Sequence, residues 1–211
     1  MMKIKICGIT NAPDALWAAN LGADFIGLNF WPQSPRKVSL KQAQSIVDKV
    51  PGFLNVVGLF VDEPLEALAK KVEKVPLKYV QLHGRETPEY CRAAQALKVK
   101  VIKAFGVEKP LEAAEVAPYE EAADFFLFDH KTAEAPGGTG EAFPWEWLRN
   151  TAFLTKPWFL AGGLKPDNVG QAIKEAHPPM VDVCSGVERL PTRKDYEAMK
   201  NFIQNARSVK A

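Results

Sequence analysis

The residues best suited to chemistry stand where apolar runs end. Cys7 closes Lys3-Ile4-Lys5-Ile6, and Gly8 follows it, so the backbone can turn at once and leave the sulfur open to a ligand. A thiolate is a good general base toward a carbon acid when its pKa is lowered toward neutrality. The same position admits a nucleophile, although the GxSxG elbow of the hydrolases is missing. Asp129 closes Phe125-Phe126-Leu127-Phe128. A poorly solvated carboxyl group at the rim of an apolar core has a raised pKa and suits a general acid, the plainer alternative being a helix cap or a salt bridge. Two glycine turns, Ala161-Gly162-Gly163-Leu164 and Ser185-Gly186-Val187-Glu188, each follow an apolar run and precede a helical segment. Backbone N–H groups at Gly162, Gly163, Ser185 and Gly186 can cradle a phosphate.

Arg36, after Ser34-Pro35, carries a planar fork that could bind a carboxylate bidentately, against the plain reading of a solvated loop arginine. His83 follows Gln81-Leu82 and precedes Gly84, where a histidine can line a site. Asp182 lies two residues before Cys184, and strand alternation puts both on one face. If that face is interior, Asp182 can bond a sugar hydroxyl; if not, it is a structural carboxylate. His130 faces the same rim without an assigned role, His177 beside Pro178-Pro179 reads as a surface residue, and Cys91 as a core filler in a helical pattern.

These residues need a frame that gathers strand ends. Runs at 3–7, 24–30, 54–60, 78–82, 99–105, 124–129, 157–161 and 180–184 are short, apolar and rich in β-branched or aromatic residues, as strands covered on both faces are. Between them lie helical patterns. Asn11, Ser39, Glu63-Pro64 and Thr87-Pro88 open the first four. Later segments cover about 110–117, 144–149, 166–176 and 192–206. Alternation of strand and helix with short connections predicts parallel strands and right-handed crossovers. Eight units predict a closed single-domain (β/α)8 barrel over 1–211, with an open doubly wound sheet as runner-up that lacks its usual GxGxxG turn. The long loops 31–38 and 130–143 follow strands and so belong to the rim where barrel sites lie. Pro136-Gly137-Gly138-Thr139-Gly140 is a stretch suited to closing over a ligand, or a plain surface loop.

The chain has 211 residues, is 47% hydrophobic and 25% charged, and has a net charge of +2 spread along its length. That flat pattern speaks against nucleic-acid and membrane partners. The opening apolar run is too short for a signal peptide and no stretch approaches a membrane span, so the cytoplasm is the expected location. Three widely spaced cysteines form no CxxC pair and no zinc spacing.

Taken together, KICGIT (5–10), GLNFWPQSPR (27–36), VGLF (57–60), VQLHG (80–84), Asp129, GGTG (137–140), LAGGL (160–164) and VDVCSGVE (181–188) resemble the phosphoribosylanthranilate isomerase family of tryptophan biosynthesis. The resemblance spans almost the whole chain in the family's order. It implies a (β/α)8 barrel with no metal or organic cofactor. The implied reaction is the Amadori rearrangement of N-(5-phosphoribosyl)anthranilate to 1-(2-carboxyphenylamino)-1-deoxyribulose 5-phosphate. It further implies that Asp129 is the acid that opens the sugar ring, and that Cys7 is the base that takes the C2 proton. Arg36 would hold the anthranilate carboxylate, the two glycine turns the phosphate, and His83 and Asp182 would touch substrate. Two positions depart from the family's usual pattern. His130 stands where a small hydroxyl residue is usual, and an imidazolium there would favour the Asp129 carboxylate. Cys184 stands where serine or asparagine is usual.

Other phosphate-binding barrels are the rival reading. Indole-glycerol-phosphate synthase calls for lysines and a glutamate at the strand ends, and ribulose-phosphate epimerase for metal-binding histidines and aspartates. An isomerase of the related histidine-pathway aminoaldose calls for aspartates at both catalytic strand ends, against Cys7. A non-catalytic phosphate binder would have no reason to keep Cys7 and Asp129 together. The sequence is compatible with a monomer or a homodimer.

Overall fold

The computed structural model describes residues 1–130 and 143–209. The glycine-rich stretch 136–140, including GGTG, lies outside the described residues. Eight parallel strands close into a barrel in chain order: β1 Lys3–Ile6, β2 Phe25–Asn29, β3 Asn55–Phe60, β4 Tyr79–Leu82, β5 Lys100–Val107, β6 Phe125–His130, β7 Trp158–Leu160 and β8 Met180–Val183. The seam joins β1 to β8, with Lys5 opposite Asp182 and Ile6 opposite Val183. The expected (β/α)8 frame is therefore present, and each expected strand appears within two residues of its predicted bounds.

The helices follow from their caps. In α1 (Ala12–Leu21) the Asn11 side chain accepts from the Asp14 N–H, and Gly22 ends the helix at φ +93°, where its missing Cβ avoids strain. Ser39 and Gln42 form a capping box on α2 (Leu40–Val47). Helix α3 spans Leu65–Lys74, and Thr87 caps α4 (Pro88–Gln95). The later helices depart more from expectation. Helix α5 is one turn, Ala113–Val116, and the segment before β7 is a 3-10 turn, Trp145–Leu148. Helix α6 begins at Val169 rather than 166, because Asn168 folds back to accept from the Lys165 N–H and to donate to the Gly163 carbonyl.

The largest correction lies at the end of the chain. Residues expected to start the last helix near Thr192 form a small antiparallel hairpin, β9 (Glu188–Leu190) with β10 (Arg193–Lys194). Thr192 turns it at φ +72°. Asp195 then caps α7 (Tyr196–Ser208) by accepting from the Ala198 N–H, so the helix cannot begin earlier.

Two apolar regions result. Leu, Ile, Val and Ala side chains fill the layer between strands and helices, with buried Cys91 among them as expected. Inside the barrel, Phe25, Val57, Ile102, Leu127, Phe159 and Met180 plug the lower part. The rings of Phe25 and Phe159 meet edge to face at 5.4 Å. Two residues further along β4, β6 and β8, the inward face turns polar, with Gln81, Asp129 and Asp182 following Tyr79, Leu127 and Met180. Phe159→Ala, which empties a fully buried position in this plug, is expected to cost about 3–5 kcal/mol, read as a lower urea midpoint.

Candidate active site

Strand alternation builds the site on top of the plug. From β1 come Lys5 and then Cys7, from β6 Asp129, and from β8 Asp182 and Cys184. Lys5 is completely buried, and its Nζ lies 3.0 Å from Asp182 Oδ1. Burial pulls the Lys5 pKa down, but Asp182 and the neighbouring Cys7 more than reverse this, and the ammonium persists well above the usual lysine range. Asp182 therefore faces the barrel interior, and its first partner is Lys5. Asp129, Gly162, Gly163, Asp182, Cys184 and Ser185 all line one small cavity at the C-terminal rim.

Asp129 is a buried carboxyl group in this cavity. Burial and the nearby Asp182 charge push its pKa up to about 7, against the His130 backbone N–H that bonds Oδ1 at 2.8 Å. The anticipated influence of the His130 ring is not what the fold produces: that ring stacks on Phe143, and only its backbone N–H meets the carboxylate. On the other side, His83 Nε2 stands 3.5 Å from Asp129 Oδ2. Burial, with Lys103 and Lys5 nearby, lowers the His83 pKa to about 3, so the ring is neutral. Its Nδ1 lies 2.9 Å from Gln81 Nε2, so Gln81 fixes the ring with Nε2 turned toward Asp129.

His83 sits on a braced loop. The Glu86 carboxylate accepts from the Asp62 and Gly84 N–H groups and pairs with Lys103 at 2.8 Å, both side chains being buried. Lys103 also donates to the Leu82 and Gly84 carbonyls.

Arg36 reaches the rim from the β2–α2 loop and meets Glu188 in a two-pronged pair, Nε to Oε1 at 2.8 Å and NH2 to Oε2 at 2.7 Å. Glu188 holds the guanidinium charged. Two prongs of a five-donor fork are used, so the rest can face a ligand. Buried Lys194 donates to Glu188 at 3.1 Å and to the Cys184 carbonyl at 2.9 Å. Its backbone N–H is held by Asp14 Oδ2 at 2.9 Å.

Gly162 and Gly163 have φ of +82° and +63°, and a Cβ on Gly162 would lie 2.7 Å from the His130 nitrogen. A Cβ on Gly186 would lie 2.0 Å from the Leu164 carbonyl oxygen. The two glycine turns therefore press against each other and against Asp129.

Lys5, Glu188 and Lys194 were not among the residues singled out from the sequence. Lys5 was findable, since alternation from Cys7 places it on the same face. Lys194 carried no signal, because its position depends on the hairpin.

A closed β/α barrel in which buried carboxyl groups, a thiol and a paired glycine turn line one cavity at the C-terminal rim has the architecture of a barrel enzyme. The particular family follows from comparison: the model of the N-(5'-phosphoribosyl)anthranilate (PRA) isomerase family matches residues 4–205, and the chain belongs to that family. It is 42% identical over 209 residues to the N-(5'-phosphoribosyl)anthranilate isomerase of Trichlorobacter lovleyi, covering 99% of this chain and 100% of that one. The Nitrosococcus oceani enzyme of the same name is 43% identical over 208 residues, 98% of each chain. Among solved structures, the Thermus thermophilus isomerase superposes with a TM-score of 0.90 at 35% identity, covering 99% of this chain and 100% of that one. A second isomerase, solved with reduced 1-(o-carboxyphenylamino)-1-deoxyribulose 5-phosphate, gives 0.87 at 38% identity over 98% and 99% of the two chains.

The raised pKa of Asp129 has a cost in stability. Between 3.8 and about 7 the folded chain keeps a proton that the unfolded chain has lost, so this group makes stability fall as pH rises through that window. Asp129→Asn is expected to be more stable than the parent above about pH 7, by up to about 4 kcal/mol, and nearly equal to it around pH 4. Urea titrations at the two pH values measure the difference.

Proposed function

We propose that this chain isomerises N-(5-phosphoribosyl)anthranilate to 1-(2-carboxyphenylamino)-1-deoxyribulose 5-phosphate, with Asp129 as general acid and Cys7 as general base. The observation that carries the reading is a carboxyl group with a pKa near neutrality in the same cavity as a paired glycine turn. Asp129, protonated, gives its proton to the furanose ring oxygen. The C1–O bond breaks and the anthranilate nitrogen supplies the electron pair of a Schiff base. The Cys7 thiolate then takes the C2 proton, and the electrons of that bond move toward the iminium to give an enolamine. Tautomerisation yields the ketone. Neutral His83 supports Asp129 without competing for its proton.

Phosphate is held by backbone N–H groups of Gly162, Gly163, Ser185 and Gly186. Arg36, locked by Glu188, presents its remaining donors to the anthranilate carboxylate, and Asp182 approaches the sugar hydroxyls while anchored to Lys5. The barrel acts as a single domain without metal or organic cofactor, as a monomer or homodimer in the cytoplasm. Its partner is a small phosphorylated aminosugar rather than nucleic acid or membrane. In support, among the described residues no helix is long and apolar enough to cross a membrane.

Turnover is followed as loss of anthranilate-type fluorescence. Cys7→Ser and Asp129→Asn are each expected to lower kcat by about 10²–10⁴-fold with substrate binding kept. Full activity in either variant removes that residue from its role, and a folded parent without turnover removes the reaction. Gly186→Ala forces a methyl against the Leu164 carbonyl and must part the two turns. It is expected to raise KM by about tenfold or more, with a smaller change in kcat.

A further inference from the structure

The barrel seam sets two thiols side by side. Lys5 pairs with Asp182 and Ile6 with Val183, and the Cys7 N–H donates to the Val183 carbonyl at 2.8 Å. The next residues along both strands are Cys7 and Cys184, on the inward face that Lys5 and Asp182 occupy. Two glycines make room for them. A Cβ on Gly27 would lie 2.7 Å from the Cys7 sulfur, and one on Gly8 would lie 2.8 Å from the Cys184 sulfur. Both sulfurs thus lie over glycine backbone on the inward side of the seam, near enough for each thiol to perturb the other. Cys184 lines the rim cavity.

The charges around the pair leave room for one proton fewer than two thiols carry. Lys5 and Asp182 face it from the strands, Asp129 from β6, Arg36 from the β2–α2 loop, and Glu188 and Lys194 from the hairpin. The Lys194 ammonium is 3.9 Å from the Cys184 sulfur. Three cations, Lys5, Arg36 and Lys194, face the pair, and with Asp129 protonated the carboxyl groups of Asp182 and Glu188 balance at most two of them, so this buried cluster favours a thiolate.

We propose that Cys7 and Cys184 act as one base, two thiols sharing a single proton, with Cys184 the positioning residue that keeps Cys7 ready to accept the substrate's C2 proton. This rests on the reading of Cys7 as the base. When the shared proton sits on Cys184, the charge is on Cys7. The C2–H bond then breaks, an S–H bond forms on Cys7, and the electron pair moves toward the iminium. Both sulfurs now carry protons, and the surplus one leaves through Cys184 at the cavity wall. The sharing agrees with opposite shifts of the two thiols: Cys7, with Lys194 and Arg36, lowers Cys184 to about 6, while Cys184 and burial push Cys7 up.

The first test needs no substrate. Thiolate absorbance in the ultraviolet is followed against pH for the parent, Cys7→Ala, Cys184→Ala and Cys184→Ser. The parent is expected to gain one thiolate near pH 6, well separated from Cys91 at about 11. Loss of either partner is expected to move that step toward the ordinary thiol range, and Cys184→Ser to restore part of the change. An unchanged step in both alanine variants overturns the proposal. The second test is the pH profile of kcat/KM. Cys184→Ala is expected to move the acidic limb to higher pH at constant KM. At mildly acidic pH the rate then falls about tenfold for every pH unit the limb moves, and in alkali it is unchanged. A profile superposing on the parent's overturns the proposal as well. Inactivity of the parent with an intact thiolate step overturns the isomerase reading alone.

Discussion

Closure of the barrel between β1 and β8 is the contact on which the site depends. It sets Lys5 against Asp182 inside the sheet, and this buried pair bears on both proposed catalytic groups. The Lys5 charge opposes the effect of burial on Cys7, whereas the Asp182 charge adds to the effect of burial on Asp129. At Asp129 Lys5 is again the opposing charge, as it is at Cys7. Removing one partner would leave a charge buried and unmatched, at a cost of about 3–5 kcal/mol.

Around this pair the rim is held by contacts that join distant segments of chain. Glu86 and Lys103 brace the loop that carries His83. Glu188 and Lys194 tie the hairpin to Arg36, and Asp14 at the start of α1 holds the Lys194 backbone. Asn168 fastens the first glycine turn to α6. Most of these partners are buried and multiply bonded, so their side chains have little freedom left to lose when a ligand arrives.

The two departures from the family pattern have different weight. His130 turns its ring away onto Phe143 and meets Asp129 only through the backbone, as any residue at that position would. Cys184 lies in the seam beside Cys7, within reach of Lys194. A change of side chain matters there because the neighbour is itself titratable.

The sequence by itself determined the eight strands, the caps of the early helices, the strand-end positions of Cys7 and Asp129 and the two glycine turns. All of these are written in local spacing: apolar runs, capping residues and the turn that glycine permits. Alternation from Cys7 would also have reached Lys5. Only the tertiary structure decided that Lys5 pairs with Asp182, that Arg36 is gripped by Glu188, that residues 188–194 form a hairpin instead of a helical turn, and that Cys184 lies beside Cys7. Those contacts join residues far apart in the chain. A pattern of neighbours cannot encode which buried charge meets which, because desolvation and pairing arise only when the closed barrel removes both groups from water.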